Sequence, residues 1–137
     1  MALIEFENNS APYINADNLN NNFTECNNIV ESGSNANGKY VKYSDGTMIC
    51  YNEVIMDTKN SDYLYQYKEW TFPQAFYSSP LVLVTPMDWT TYRVSTQAEN
   101  ASTTIVRIML QYVNMDGTAV EYTNYGHASA IAIGKWK

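Results

Sequence analysis

The sequence predicts a mainly β protein, an antiparallel β-sandwich preceded by a short N-terminal helix. From Lys39 onward, short apolar or alternating segments recur between turn signals, and no helical period appears among them. The chain of 137 residues contains 12 tyrosines and only 16% charged residues. A composition rich in tyrosine, asparagine and threonine with few charges favours strands and turns. The length is sufficient for one domain and a short appendage.

The helix is predicted near the N-terminus, where Asn15 is a suitable N-cap and Asp17 suits the positive helix end. Apolar residues then follow at spacings of 4, 3 and 4, which is the spacing of a coiled-coil seam: Leu19, Phe23, Cys26 and Val30. Most other positions are asparagine, so the helix is marginal by itself. The seam can pack on its own domain or on identical helices of neighbouring chains, and the narrow stripe favours the second arrangement.

These patterns divide the chain into three parts. We expect residues 1–31 to form an arm and a short trimerising helix. Residues 32–38, rich in glycine, serine and asparagine, read as a flexible linker. Residues 39–137 are expected to form the β-sandwich domain.

Turn residues place the strands of the sandwich. Asp45-Gly46 and Asp116-Gly117 each separate two strand-like segments, which is a strong hairpin signal. Leu81 to Thr85 is a short apolar run typical of a buried strand. Ala128 to Trp136 is the last candidate, and its unbroken small and β-branched residues predict a central strand buried on both faces.

Charge and hydropathy argue against several classes of function. The net charge is −6, and no basic stripe suited to nucleic acid is present. No apolar stretch is long enough to predict a membrane span, and the acidic N-terminus does not resemble a signal peptide. We therefore expect synthesis in a cytoplasm, with Cys26 and Cys50 as free thiols.

The sequence gives little support for an enzyme. It contains one histidine and no Gly-x-Ser-x-Gly elbow, Walker loop or zinc-ligand cluster, so neither catalysis nor a cofactor is expected. A pair of carboxylates could still serve glycoside hydrolysis, and the candidates are Asp88, Glu99, Asp116 and Glu121. The alternative, which we favour, is that these are solvated loop acids.

A second group of residues has the types that bind sugars, namely aromatic faces beside amides, acids and a guanidinium. The candidate ligand-binding residues are Asp88, Trp89, Tyr92, Arg93, Tyr122, Asn124, Tyr125 and His127. The alternative is that the aromatic residues simply belong to the core. His127 itself is most simply a hydrogen-bonded loop residue. It could also donate to a ligand, or three copies on a trimer axis could bind an ion, although we assign no metal.

Three stretches resemble known proteins. The N-terminal Ile4-Glu5-Phe6 and the stretch from Pro12 to Asn20 are similar to the start of phage and prophage minor structural proteins. The stretch from Gly33 to Tyr51, with its Asn-Gly-Lys-Tyr and Asp-Gly-Thr elements, resembles tail-fibre C-terminal domains. Phe72-Pro73-Gln74-Ala75-Phe76 and the closing Ile131 to Lys137 are similar to the phage relatives of H-type lectin domains.

The resemblance implies an H-type lectin-like β-sandwich that forms a homotrimer at the tip of a phage tail fibre. It further implies adhesion to host cell-surface polysaccharide, contact with other tail proteins and a place in the virion. Relatives often carry an aromatic residue where this chain has Ala130, so their ligand contacts do not transfer directly. Two alternatives remain open: a purely structural tail or baseplate component, and a glycan-processing enzyme.

Overall fold

The computed structural model describes residues 29–60, 64–88 and 90–137. The predicted N-terminal helix, with Leu19, Phe23 and Cys26, lies outside the described residues, as does Trp89. Within the described part the chain is built of strands and loops, and it contains no helix long and apolar enough to cross a membrane.

Nine strands follow one another in the described residues. They are β1 (Ile29–Asn35), β2 (Gly38–Tyr43), β3 (Thr47–Ile55), β4 (Thr58–Lys59), β5 (Tyr65–Thr71), β6 (Leu81–Pro86), β7 (Arg93–Glu99), β8 (Ile105–Val113) and β9 (His127–Lys135). They form a five-stranded sheet in the order β1-β2-β3-β9-β6 and a four-stranded sheet in the order β4-β5-β8-β7. Every pairing is antiparallel, which confirms the predicted mainly β, antiparallel class.

The core lies between the two sheets. The five-stranded sheet contributes alternate residues of its central strands, and the four-stranded sheet contributes those of β5 and β8. The buried set includes Met48, Cys50, Val54, Ala128, Ala130, Ala132, Trp70, Val106, Ile108, Leu110 and Tyr112. Trp70, Phe72 and Phe76 extend it through edge-to-face ring contacts at 5.1 Å. The Phe-Pro-x-x-Phe element is therefore a packing motif here.

The turn signals were informative. At Asp45-Gly46 the Gly46 N–H donates to the Tyr43 carbonyl at 3.1 Å, and Gly46 has a φ of 90°. This conformation favours glycine, and the turn connects β2 to β3 as predicted. Asp116-Gly117 also forms a turn, with φ of 91° at Gly117. The segment after it is not a strand, however, and only an isolated bridge joins Ala119 to Val113.

The structure differs from the flexible linker predicted over residues 32–38. Residues 32–35 belong to β1, which pairs with β2 from Asn35↔Gly38 to Ile29↔Tyr43. Val30, expected on the helix seam, lies in the same strand and is 52% exposed. The prediction was wrong at Val30 because the heptad spacing continues by chance into a segment whose backbone pairs with β2. Because Gly33 has no side chain, the Tyr40 ring lies close against β1 at this position.

The last strand holds the predicted central position, between β3 and β6. It is buried on one face only. Ala128, Ala130 and Ala132 face the core, whereas Ile131 is 40% exposed on the opposite face. The expectation of burial on both faces was wrong for the single chain, because the second sheet covers only one side of the strand.

Cys50 gives a direct test of this core. Its side chain is fully buried, and burial raises the pKa of the Cys50 thiol to about 11. We expect Cys50 to resist iodoacetamide in the native protein at pH 8, because the thiolate is the reacting form. The same residue should react readily in urea. Mass spectrometry of the Cys50 peptide measures both rates, and equal labelling in the two conditions would contradict the described packing.

Candidate functional site

Most of the residues predicted to bind ligand meet at one end of the sandwich. At this end, which we call the loop end, β3 and β6 finish and β9 begins. The long segment between β8 and β9, which we call the crossing segment, passes here from one sheet to the other. Met56 N–H donates to the Gly126 carbonyl at 2.8 Å, and Met87 N–H donates to the His127 carbonyl at 2.9 Å. These bonds fix the loops to the first residues of β9.

Asp88 is the acid at the centre of this end. Its Oδ2 accepts a hydrogen bond from Tyr112 Oη at 2.6 Å and another from the His127 backbone N–H at 2.9 Å. Tyr112 is 1% exposed, and burial together with the bond to Asp88 raises the pKa of its phenol. Asp88 thus connects the end of β6 to β8 and β9, and it orders the loop in doing so.

Tyrosine rings fill the space beside this acid. Tyr122 stacks on Tyr112 with centroids 4.0 Å apart and an interplanar angle of 20°. Tyr92 meets Tyr122 edge to face at 6.3 Å. One face of Tyr122 is consequently occupied by Tyr112, and both Tyr92 and Tyr122 pack against the hydrophobic core.

Gln66 holds the crossing segment from below, and its side chain is 1% exposed. Its amide nitrogen donates to the carbonyls of Tyr122 and Asn124 at 3.0 and 2.6 Å. Its amide oxygen accepts from the Gly126 N–H at 2.8 Å. One buried amide thereby satisfies three backbone groups that would otherwise be unpaired.

The remaining candidates lie further out. Tyr125 is 49% exposed, and Lys59 Nζ lies 4.9 Å from its ring centroid. The Asn124 side chain is exposed beside it, and Arg93 begins β7 with an exposed side chain. His127 points away from the core, and its Nδ1 lies 2.9 Å from Glu53 Oε1. Of the candidates that the structure describes, the exposed ones are thus Arg93, Asn124 and Tyr125.

The four carboxylates considered for hydrolysis are distributed over the molecule. Asp88 is bonded as described, and Asp116 accepts from the Thr118 N–H at 2.9 Å within its turn. Glu99 lies at the far end of β7, where its Oε1 is 3.7 Å from Arg107 Nη1. Glu121 is exposed on the crossing segment. Among the described residues, no group of three or more His, Cys, Asp or Glu side chains is placed to hold a metal ion.

The outer surface of the four-stranded sheet carries polar and tyrosine side chains. Three rows cross it, Tyr65 with Gln111 and Ser95, Tyr67 with Met109 and Gln97, and Glu69 with Arg107 and Glu99. We call this surface the polar face. Arg107 lies 5.0 Å above the Tyr67 ring and 3.1 Å from Glu69. The two-residue spacing of Tyr65 and Tyr67 in the sequence indicates that they share one face of the sheet. The residues beside them on the neighbouring strands depend on the strand register, which the spacing does not give.

Comparisons with known proteins support the fold. No family model matches the chain, and no curated protein matches it either. Among solved structures, the chain is similar to an N-truncated R1-type pyocin tail fibre, with a TM-score of 0.53 and 22% sequence identity. The match covers 89% of this chain and 98% of the other. At this identity the likeness establishes a shared fold extending over nearly the whole of that structure.

Proposed function

We propose that the chain is a tail-fibre domain of a phage or a phage-tail-like particle, that it forms a homotrimer, and that it binds host cell-surface glycan without catalysis. The observation that carries the proposal is the fold shared with a pyocin tail fibre over 89% of the chain. The resemblance of three sequence stretches to tail-fibre and lectin-like domains supports it independently.

The exposed residues at the loop end suit a glycan. Tyr125 offers an apolar ring face beside β4 and Asn124 next to it in the chain offers an amide, whereas Arg93 offers a guanidinium at the opposite edge of the four-stranded sheet. A sugar presents C–H groups to an aromatic ring and hydroxyls to such donors and acceptors. Three weak sites on one rigid trimer would bind a repetitive polysaccharide with an avidity above that of any single site.

Binding to a panel of bacterial strains and to an array of purified bacterial surface polysaccharides tests the proposal. We expect the labelled full chain to bind a subset of these targets, and the Tyr125→Ala variant to lose at least tenfold in apparent affinity. Tyr77→Ala is the matched control, because Tyr77 is 76% exposed beside the other end of β9, where its N–H donates to the Lys135 carbonyl.

A structural tail component without a ligand is the second candidate. It is favoured by the packing of Asp88, Tyr92 and Tyr122 inside the loop end, which gives these residues a folding role. Absence of binding to every strain and polysaccharide at high protein concentration would contradict the adhesin and leave this alternative. Release of sugar fragments from any of the polysaccharides would contradict the proposal that the chain is not an enzyme.

A further inference from the structure

The outer surface of the five-stranded sheet is apolar across three neighbouring strands, β3, β9 and the edge strand β6. Two neighbouring rows cross β3, β9 and β6, and they consist of Tyr51, Ile131 and Leu83 and of Ile49, Ile133 and Leu81. We call these six residues the apolar face. Leu81 and Leu83 are 65% and 55% exposed, and Tyr51 and Ile131 are 41% and 40% exposed. The opposite face of these strands packs against the second sheet, so the described residues of the chain leave these side chains exposed.

The polar face is an internal comparison for this surface. It occupies the equivalent place on the other sheet, yet most of its rows consist of hydroxyls, amides and charged groups. The same fold therefore presents one surface suited to water and one that is not. Contiguous exposed apolar residues of this kind mark sites where a protein meets a partner.

The shape of the apolar face indicates what kind of partner fits. Leu81 and Leu83 project from β6, the edge strand of the sheet. Next to them, an open depression of about 390 Å³ extends over β2, β3 and β9. Its floor is formed by Tyr51 and Ile131 with the small residue Ser129. One chain thus carries both a leucine projection and an apolar depression that would receive it.

Charges at the rim of the depression are also self-complementary. Lys39 lies at one side of it and Glu53 at the other. A surface that carries one charge of each sign does not select a strongly acidic or basic partner, and a second copy matches it.

We propose that copies of this chain meet through the apolar face, with Leu81 and Leu83 of one copy seated in the depression of the next. In this head-to-tail arrangement each copy inserts its leucines into the next copy and receives those of the copy before it, and the contact closes into a ring when the rotation between copies divides a full turn evenly. The ring has three members if the trimer advanced under the proposed function is correct. This inference rests on that trimer and adds the surface that forms it.

Substitutions at matched positions of the two sheets test whether the apolar face is the interface between copies. Ile131→Glu places a charge on β9, the middle strand of the apolar face, and Met109→Glu places the same charge on β8, the middle strand of the polar face. By light scattering at equal concentration, we expect the unmodified chain and Met109→Glu to have three times the chain mass of 15.6 kDa. We expect Ile131→Glu to have the mass of one chain, while circular dichroism shows that it remains folded.

Disulfide trapping tests the direction of the contact in a Cys26→Ser background. Lys39 and Leu83 lie in one row three strands apart, about 14 Å, so cysteines there cannot pair within a chain. The double variant Lys39→Cys/Leu83→Cys should give a covalent trimer on a non-reducing gel, and each single variant should stay uncrosslinked. A two-fold contact would pair position 39 of each copy with position 83 of the other, so a double variant that stops at a covalent dimer would overturn the head-to-tail arrangement, as would efficient dimers from either single variant.

Failure of the inference and failure of the trimer are distinguishable. A single-chain mass for the unmodified protein would refute the trimer itself, and with it this interface. A trimer that survives Ile131→Glu but dissociates on Phe23→Asp would locate the assembly in the predicted helix and refute the apolar face as the interface. Loss of the trimer in both Ile131→Glu and Met109→Glu would also count against the apolar face as the interface.

Discussion

Gln66→Leu is expected to lower the free energy of unfolding by about 3 kcal/mol, since it removes three hydrogen bonds from a buried site. Leucine has a similar size and fills the same space, so the loss comes from polarity. The carbonyls of Tyr122 and Asn124 and the N–H of Gly126 would lose the partner that the side chain gives them. Part of the crossing segment would rotate towards water, which limits the loss.

Urea unfolding followed by tryptophan fluorescence measures this effect. Gln111→Leu is the control, because it makes the same substitution at an exposed position of β8 on the polar face. This variant should alter the free energy of unfolding by less than about 0.5 kcal/mol. Hydrogen exchange adds a local readout, and the amides of the segment between β8 and β9 should exchange faster in Gln66→Leu. Equal stability of the two variants would show that Gln66 does not hold that segment.

The strands that could be predicted are those with local signals. Asp45-Gly46 between two alternating segments locates a hairpin without reference to the rest of the chain, and the structure has it there. The antiparallel class and the central position of β9 also followed from the residues themselves. These features depend on neighbours in sequence, or on the general need of an apolar strand for partners on both edges.

Other features depend on what lies across the fold. The backbone of Gly33 and Ser34 forms a strand because β2 lies beside it, and their composition alone reads as a linker. The segment from Thr118 to Tyr122 has strand-forming residues, yet Gln66 and Tyr112 hold it in an irregular path. In both segments, tertiary contacts therefore override the backbone structure that the local sequence favours.

The group of residues that meet at the loop end could be predicted in part from the sequence. Asp88, Tyr92, Tyr122 and His127 do come together, as residues near strand ends often do. Gln66 and Tyr112, which organise them, lie inside strands whose alternation marks them only as inward-facing. A glutamine at a core position in β5 is the one signal that could have found the first, because a buried amide needs partners.

Gly126→Ala is expected to destabilise the fold by about 3 kcal/mol or more, through crowding and a displaced hydrogen bond. A Cβ at this position would lie 2.1 Å from Tyr112 Oη, 2.8 Å from Leu110 Cδ1 and 2.9 Å from Asp88 Oδ2. Leu110 can yield by moving the end of its side chain. Tyr112 can yield only by leaving Asp88, which would release the His127 end of β9.

A double-mutant cycle with Tyr112→Phe separates this mechanism from general crowding. Tyr112→Phe removes the atom nearest to the new methyl group, so Gly126→Ala should cost at least 1 kcal/mol less in that background. Urea unfolding of the four proteins gives the coupling energy. Additive effects would mean that backbone or Leu110 contacts, rather than the Tyr112 hydroxyl, exclude a side chain at Gly126. A coupling of the expected sign would show that the Tyr112 hydroxyl, which donates to Asp88, is the group that excludes a side chain at Gly126.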